Sequence, residues 1–256
     1  MLHAVKREAV SKEEWDAFAE ASDEAWLWHL YDSQAMLATW RGRKDASFGV
    51  RDGKGVLVAI VPLKEVKAVK WGLTLACKME SMGGPAIANG IGKSHREKIL
   101  KVIRAHLFEL AKQNGAFEVN LMLSPMAPAY RGERCPRVNP LLDLGCENTL
   151  TQTWVVDLRQ SEKEIWEKYS KECRRKIKKA SSEESVVEIL RKKDSALEQY
   201  YPMHLVTYKR TGATPHPKKY FDHIWEMFLP EGRAIFGSSG NSVGLEIDGV
   251  VIAQSM

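Results

Sequence analysis

Five residues in the C-terminal part of this 256-residue chain have the chemistry to hold an anionic substrate: Lys171, Arg174, Arg175, His204 and Tyr208. The first three belong to YSKECRRKIKKA (169–180), in which half of the residues are Lys or Arg and one is acidic. Read as one helix running from Ser161 to about Ser181, Lys168, Lys171, Arg175 and Lys178 share a polar face. Trp166, Tyr169, Cys173, Ile177 and Ala180 then form an apolar stripe opposite. Arg174 sits at the border, where its planar fork can bind a diphosphate bidentately. Lys168, Lys178 and Lys179 read as a solvated face, because cations are favourable near a helix C-terminus. His204 and Tyr208, four apart on one helical face, can orient a substrate amine; a packed, hydrogen-bonded histidine is the competing role. His29, between Trp28 and Tyr31, is a weaker candidate for lining a cleft, and Gly83, Gly84 and Pro85 for shaping a loop. No general base stands out.

The remaining composition narrows the class. The chain is 44% hydrophobic, enough for a real core, and its net charge of +5 is too mild for a dedicated DNA binder. The four cysteines form no CxxC pair and the seven histidines no HxH or HExxH, so no metal site is expected. Free thiols, an N-terminus without an apolar leader, and the lack of an apolar run near the roughly 20 residues that span a bilayer point to a soluble, cytoplasmic protein.

Helices and strands must position these residues. Ser11 with Glu14, and Ser161 with Glu164, are capping boxes that open helices. Ser94 is expected to cap a helix to Asn114, closed by Gly115. Phe48–Leu63 is a hairpin about an Asp-Gly turn, and 117–123 a strand. Ser81–Gly92 reads as a loop. Prolines at 125, 128, 136 and 140 mark a boundary, which divides the chain into 1–150 and 151–256. Thr151–Leu158 and Val186–Leu190 follow as strands. Ser195–Arg210 is helical, with a kink or restart expected at Pro202. The chain closes on a second Asp-Gly hairpin, SVGLEIDGVVIAQSM, which echoes the first, with Asp248 in the place of Asp52. The echo suggests a duplicated domain whose second copy stops halfway.

The run WVVDLRQSEKEIWEKYSKECRRKIKKASSEESVVEIL resembles the FemAB-type branch of the GNAT acyltransferases through Trp166, Ser170, Arg174, Ile177 and Ala180. YYPMHLVTYKRTGATPHPKKYFDHIW (200–225) resembles the helix, Thr-Gly-x-x-Pro-like turn and aromatic helix of that family. The resemblance implies an α/β fold with mixed sheets: two tandem GNAT-like acyltransferase domains, the second apparently incomplete at its C-terminus. It implies transfer of an acyl or aminoacyl group to an amine of a sugar-, peptide- or nucleotide-linked acceptor, as in peptidoglycan or polysaccharide biosynthesis. No tightly bound cofactor is implied; the co-substrate would be acyl-CoA or aminoacyl-tRNA. The acceptor would be an anionic small molecule or lipid-linked, and tRNA a further partner. An acyl-CoA-dependent N-acetyltransferase and a non-catalytic RNA- or nucleotide-binding module are the alternatives. The chain departs from the family in lacking the Arg/Gln-x-x-Gly-x-Gly/Ala pyrophosphate loop; MGGPAIANG stands in its place in the first domain, which puts acyl-CoA binding there in doubt.

Overall fold

A computed structural model describes residues 1–71, 73–149, 156–157, 159–181, 188–239, 242–247 and 250–255. The chain divides into unit 1, Met1–Thr151, and unit 2, Gln152–Met256.

Unit 1 begins with β1 (His3–Lys6), α1 (Lys12–Ala21) and α2 (Tyr31–Leu37). The strands β2 (Arg43–Asp45), β3 (Phe48–Arg51), β4 (Leu57–Val61), β5 (Lys64–Lys70), β6 (Leu73–Gly83) and β7 (Ala86–Ile87) follow, then α3 (Lys93–Gln113) and β8 (Val119–Leu123). Ser11 caps α1 by accepting from the Glu14 amide, but the Glu14 carboxylate turns away to form a bidentate pair with Arg51 at 2.6 Å. The capping box is therefore one-sided. The β3–β4 turn is tied by the Asp52 carboxylate, which accepts from the Lys54 and Val56 amides. α3 is capped by Gly92, not Ser94, and ends as expected at Asn114 with Gly115 in the left-handed region. Its buried face, Ile99, Ile103, Leu107 and Ala111, packs with Phe48, Val50, Ala59 and Met79.

The strands form two sheets, ordered β1-β3-β4-β7 and β2-β5-β6-β8. All neighbours are antiparallel except β6 and β8, which run parallel from Met79↔Val119 to Gly83↔Leu123. One long ribbon feeds both sheets: β4 continues through Pro62 and Leu63 into β5, and β6 through Gly84 and Pro85 into β7. What reads as a loop at Ser81–Gly92 is thus the end of β6, a sharp turn and β7, with a loop from Ala88 to the cap.

Unit 2 contains α4 (Glu162–Lys168), α5 (Lys171–Ser181), β9 (Glu188–Ile189), α6 (Lys193–Thr211), α7 (Lys218–His223), β10 (Ala234–Ser239), β11 (Ser242–Ile247) and β12 (Val250–Ser255). The expected strand over Thr151–Leu158, the start of Val186–Leu190 and the Asp248-Gly249 turn lie largely or wholly outside the described residues.

One expectation is corrected here, and at Pro202 the restart offered as the alternative to a kink is excluded. The single helix from Ser161 to Ser181 is two helices, because Tyr169 is extended (ψ 144) and Ser170 starts a new one. The Ser170 hydroxyl accepts from the Cys173 amide at 3.2 Å, so a local cap competes successfully with helix continuation. The expected apolar stripe cannot resist that break: Trp166, Tyr169 and Cys173 are only half-buried and Ile177 is exposed. Ser170→Ala is expected to remove the cap and cost α5 about 1 kcal/mol, seen as lost helical ellipticity. At Pro202, by contrast, α6 runs on without a restart. Burial of Tyr200, Met203 and His204 on either side offsets the lost hydrogen bond.

The duplication is real at the level of topology, but its register differs from the echo of the two Asp-Gly hairpins. Among the described residues each unit contains a strand (β1 or β9) followed by two helices (α1 and α2, or α6 and α7) and an antiparallel meander, β3-β4-β7 or β10-β11-β12; in unit 2, α4 and α5 precede β9. In both, the meander's first strand pairs with the strand that precedes the two helices. The β3–β4 hairpin therefore corresponds to β10–β11, and Asp52 is not the counterpart of Asp248.

Candidate functional site

The Gly-rich turn of unit 1 lies where parallel β6 and β8 part company. β7 leaves β8 to pair with β4, and its other edge is occupied by side chains that follow α1. Ser22 Oγ donates to the Ile87 carbonyl at 2.8 Å, and the Ile87 amide donates to Glu24 at 3.0 Å. Glu24 also pairs with Arg96 of α3 at 2.7 Å.

The space between the parting strands is filled from within. Trp26 Nε1 donates to the Met82 carbonyl at 3.1 Å. His29, fully buried, has its Nε2 3.1 Å from the Gly84 carbonyl, while the Trp26 amide donates to its Nδ1 at 3.2 Å. A carbonyl only accepts, so the proton is on Nε2 and the ring is neutral. Burial pushes the His29 pKa down to about 4. Trp15 Nε1 holds the His29 carbonyl at 2.6 Å, fixing the turn that carries the ring. Gly83 has φ 140, and a Cβ there would lie 2.9 Å from Trp26 Nε1 and closer still to the His29 ring. On the other side Leu141 closes against Gly84. The Gly84 amide donates to Ser81 Oγ at 3.1 Å. Gly83 thus lets two aromatic rings approach the backbone, and His29 ties the turn instead of lining an open cleft.

Open space in unit 1 lies beyond this plug. A pocket of about 420 Å³ lies between α3, β8 and the segment 139–149, with Arg104, Asn120, Asn139, Cys146 and Asn148 among its lining. The Asn139 amide donates to Asn148 at 3.1 Å. Burial raises the Cys146 pKa, so the thiol stays protonated. The pocket offers amides and a guanidinium for binding. Its walls come from three separate segments, 104–108, 118–121 and 139–149, and no single motif announces it.

In unit 2 the five sequence candidates fall into two groups. His204 is buried among Tyr200, Tyr201, Tyr208, His216 and Phe221, with the Tyr208 ring 4.2 Å away. Its Nε2 accepts from the His216 amide at 2.9 Å, which pins the 212–217 turn to α6. Burial lowers its pKa to about 4, so it is neutral at pH 7. Tyr208 is half-buried at the rim of this cluster. On α5, Arg175 is exposed and committed to Glu172 by two bonds of 2.8 and 2.9 Å. Lys171 is exposed. Arg174 is half-buried, and its guanidinium has no hydrogen-bond or ion-pair partner among the described residues. Lys171, Arg174 and Arg175 lie on α5, whereas His204 and Tyr208 lie on α6. Lys168 belongs to α4 and bonds Gln160, so the expected four-residue polar face is split between two helices. Among the described residues no group of His, Cys, Asp or Glu is arranged to hold a metal ion.

Two units that repeat one strand, two helices and a meander define the class: a mixed α/β chain of two GNAT-like units in tandem. No family model matches the chain, and no curated protein does. Among solved structures the chain is similar to FemX, with a TM-score of 0.58 and 14% identity over 94% of this chain and 57% of that one. At that identity the likeness is one of fold, and it bears out the fold implied by the residues around Trp166–Ala180 and Tyr200–Trp225. This chain thus spans little more than half the length of the FemX structure. Weaker likenesses, too distant to bear on the fold, are to two aminoglycoside N-acetyltransferases. They are AAC(6')-Ih from Acinetobacter baumannii (TM-score 0.39, 12% identity, 61% of this chain and 98% of that one) and AAC(6')-Iy in complex with CoA (0.38, 16%, 62% and 94%).

Proposed function

We propose that this chain belongs to an acyltransferase that moves an acyl or aminoacyl group onto an amine of a sugar-, peptide- or nucleotide-linked acceptor in cell-envelope or polysaccharide biosynthesis. The observation that carries this reading is the fold it has in common with FemX over 94% of its length. The reaction requires a neutral amine held at a carbonyl carbon, a proton acceptor and donors for the developing oxyanion. The donor is acyl-CoA or aminoacyl-tRNA, used as a co-substrate. It does not bind in the Gly83–Gly84 turn, which is filled by Trp26, His29 and Leu141. Arg174 binds the acceptor's anionic group, because a half-buried guanidinium without a protein carboxylate is ready for an external one. His204 acts as a positioning residue: its ring lone pair is occupied, and it fixes the turn beside Tyr208.

The test supplies aminoacyl-tRNA or acyl-CoA with amine-bearing nucleotide-sugar peptides and detects product by mass. Transfer from the thioester without tRNA selects the acyl-CoA version. No transfer and no saturable donor binding sinks the reading. Salt-sensitive RNA binding that is lost on Lys171→Ala with Arg174→Ala, without turnover, marks a binding module instead. In the transfer assay Arg174→Ala is expected to raise the acceptor KM about tenfold or more with little change in kcat, the loss of one charge-assisted contact. Arg175→Ala, which removes only an exposed pair with Glu172, is expected to leave KM near the parent value.

A further inference from the structure

The β5–β6 hairpin ends in an apolar tip that the transfer chemistry does not use. Val69 is 38% exposed, Trp71 89%, Leu73 67% and Leu75 65%, four large apolar residues within seven positions. Trp71 has φ 51, a left-handed conformation uncommon for a bulky residue, and its side chain is largely exposed at the apex. Such a cluster is out of keeping with a chain of mean hydropathy −0.33. Exposed patches of this kind mark interaction surfaces.

The surroundings of the tip select the partner. The strands β2, β5 and β6 carry six Lys and Arg against three Asp and Glu. Lys67 lies nearest the tip among the cations whose side chains are described, bonded to Glu65 at 2.6 Å with its side chain still 38% exposed. Lys78, bonded to Glu80 at 2.5 Å, is similarly exposed. The exposed residues cluster at a hairpin end, which suits a partner that yields around it better than one that offers a fixed groove. An indole is at home where apolar and polar media meet, and lysine stems reach back from such a boundary toward anionic groups. A second copy of the chain is a poorer fit, because a two-fold contact at the tip sets the same lysines against each other.

We propose that the β5–β6 hairpin docks on an anionic lipid surface, with Trp71, Leu73 and Leu75 entering the interface and Lys67 and Lys78 facing the headgroups. This docking is independent of the transfer reaction.

The test is co-sedimentation of the protein with phosphatidylcholine vesicles, with and without phosphatidylglycerol. The parent protein is expected to sediment with the anionic vesicles, less as salt rises, and to stay in solution with the neutral ones. Trp71→Ser with Leu73→Ser is expected to cut the partition coefficient about tenfold or more, since exposed apolar area is the driving term. Thermal midpoints are compared first; if the double variant is unstable, Trp71→Ser alone gives the same reading. Parent protein that stays in solution with anionic vesicles, or a variant that sediments like the parent, overturns the proposal. Self-association in analytical ultracentrifugation that the variant abolishes, without vesicle binding, assigns the tip to a second copy and overturns it as well.

Discussion

Gly83→Ala is expected to destabilise unit 1 by about 3 kcal/mol or more, a large effect for one methyl group. Two costs add. At φ 140 the backbone is in a region essentially reserved for glycine, which alone costs about 1–3 kcal/mol. The new Cβ also meets two rings that have no freedom to retreat. Trp26 is held by the Met82 carbonyl, and His29 by the Gly84 carbonyl and the Trp26 amide. Gly84→Ala serves as the comparison. Gly84 is also left-handed, at φ 69, but its Cβ would meet a flexible leucine end, Leu141 Cδ2, at 3.1 Å. A cost of about 1 kcal/mol is expected there. Urea unfolding followed by tryptophan fluorescence checks both, since five of the eight Trp lie in unit 1. Equal midpoints for Gly83→Ala and the parent would show that the rings do not clamp the turn.

Acid should loosen the same knot. The folded protein holds His29 neutral with a pKa of about 4, against about 6.5 in an unfolded chain. Between those values the unfolded state binds more protons, so stability rises with pH there and falls as pH drops from 6.5 toward 4. The contribution fully present above pH 6.5 amounts to about 3 kcal/mol, most of it lost by pH 4. A proton on Nδ1 would also face the Trp26 amide, turning an acceptor into a second donor. His204 shifts in the same direction, so unit 2 is expected to lose stability over a similar window. His29→Gln should remove much of the slope in unit 1 while lowering stability at neutral pH. A variant with the parent's pH dependence would place the acid sensitivity elsewhere.

The sequence shows what is local and conceals what depends on pairing. The Ser11 and Ser161 caps, the Asp52 turn and the apolar face of α3 rest on residues within a few positions of one another, and each is where its spacing puts it. The Tyr169–Ser170 break was hidden because helical periodicity runs through it, while a single serine cap decides the matter. The repeat was visible but one strand out of register. Its Asp-Gly signal marks a turn without saying which strands flank it, and only the partners of β1 and β9 settle that. His29 had the same appearance as a site histidine. One of its two ring bonds is to the nearby Trp26 amide, but the other reaches the Gly84 carbonyl, 55 residues away, and that tie has no mark in local spacing. Arg174 and Arg175 look alike in sequence, and only the Glu172 pair of Arg175 sets them apart.

The ribbon running through β4, β5, β6 and β7 gives unit 1 a property that neither sheet has alone. Its strands hydrogen-bond in one sheet at Ala59↔Ile87 and in the other from Lys64↔Glu80 onward. Separating the ribbon anywhere near Pro62 or Gly84 therefore frees an edge in both sheets at once. The two sheets then open as a single cooperative block with a common opening free energy, and the hairpin beyond Ala68 is left as the part able to fray by itself.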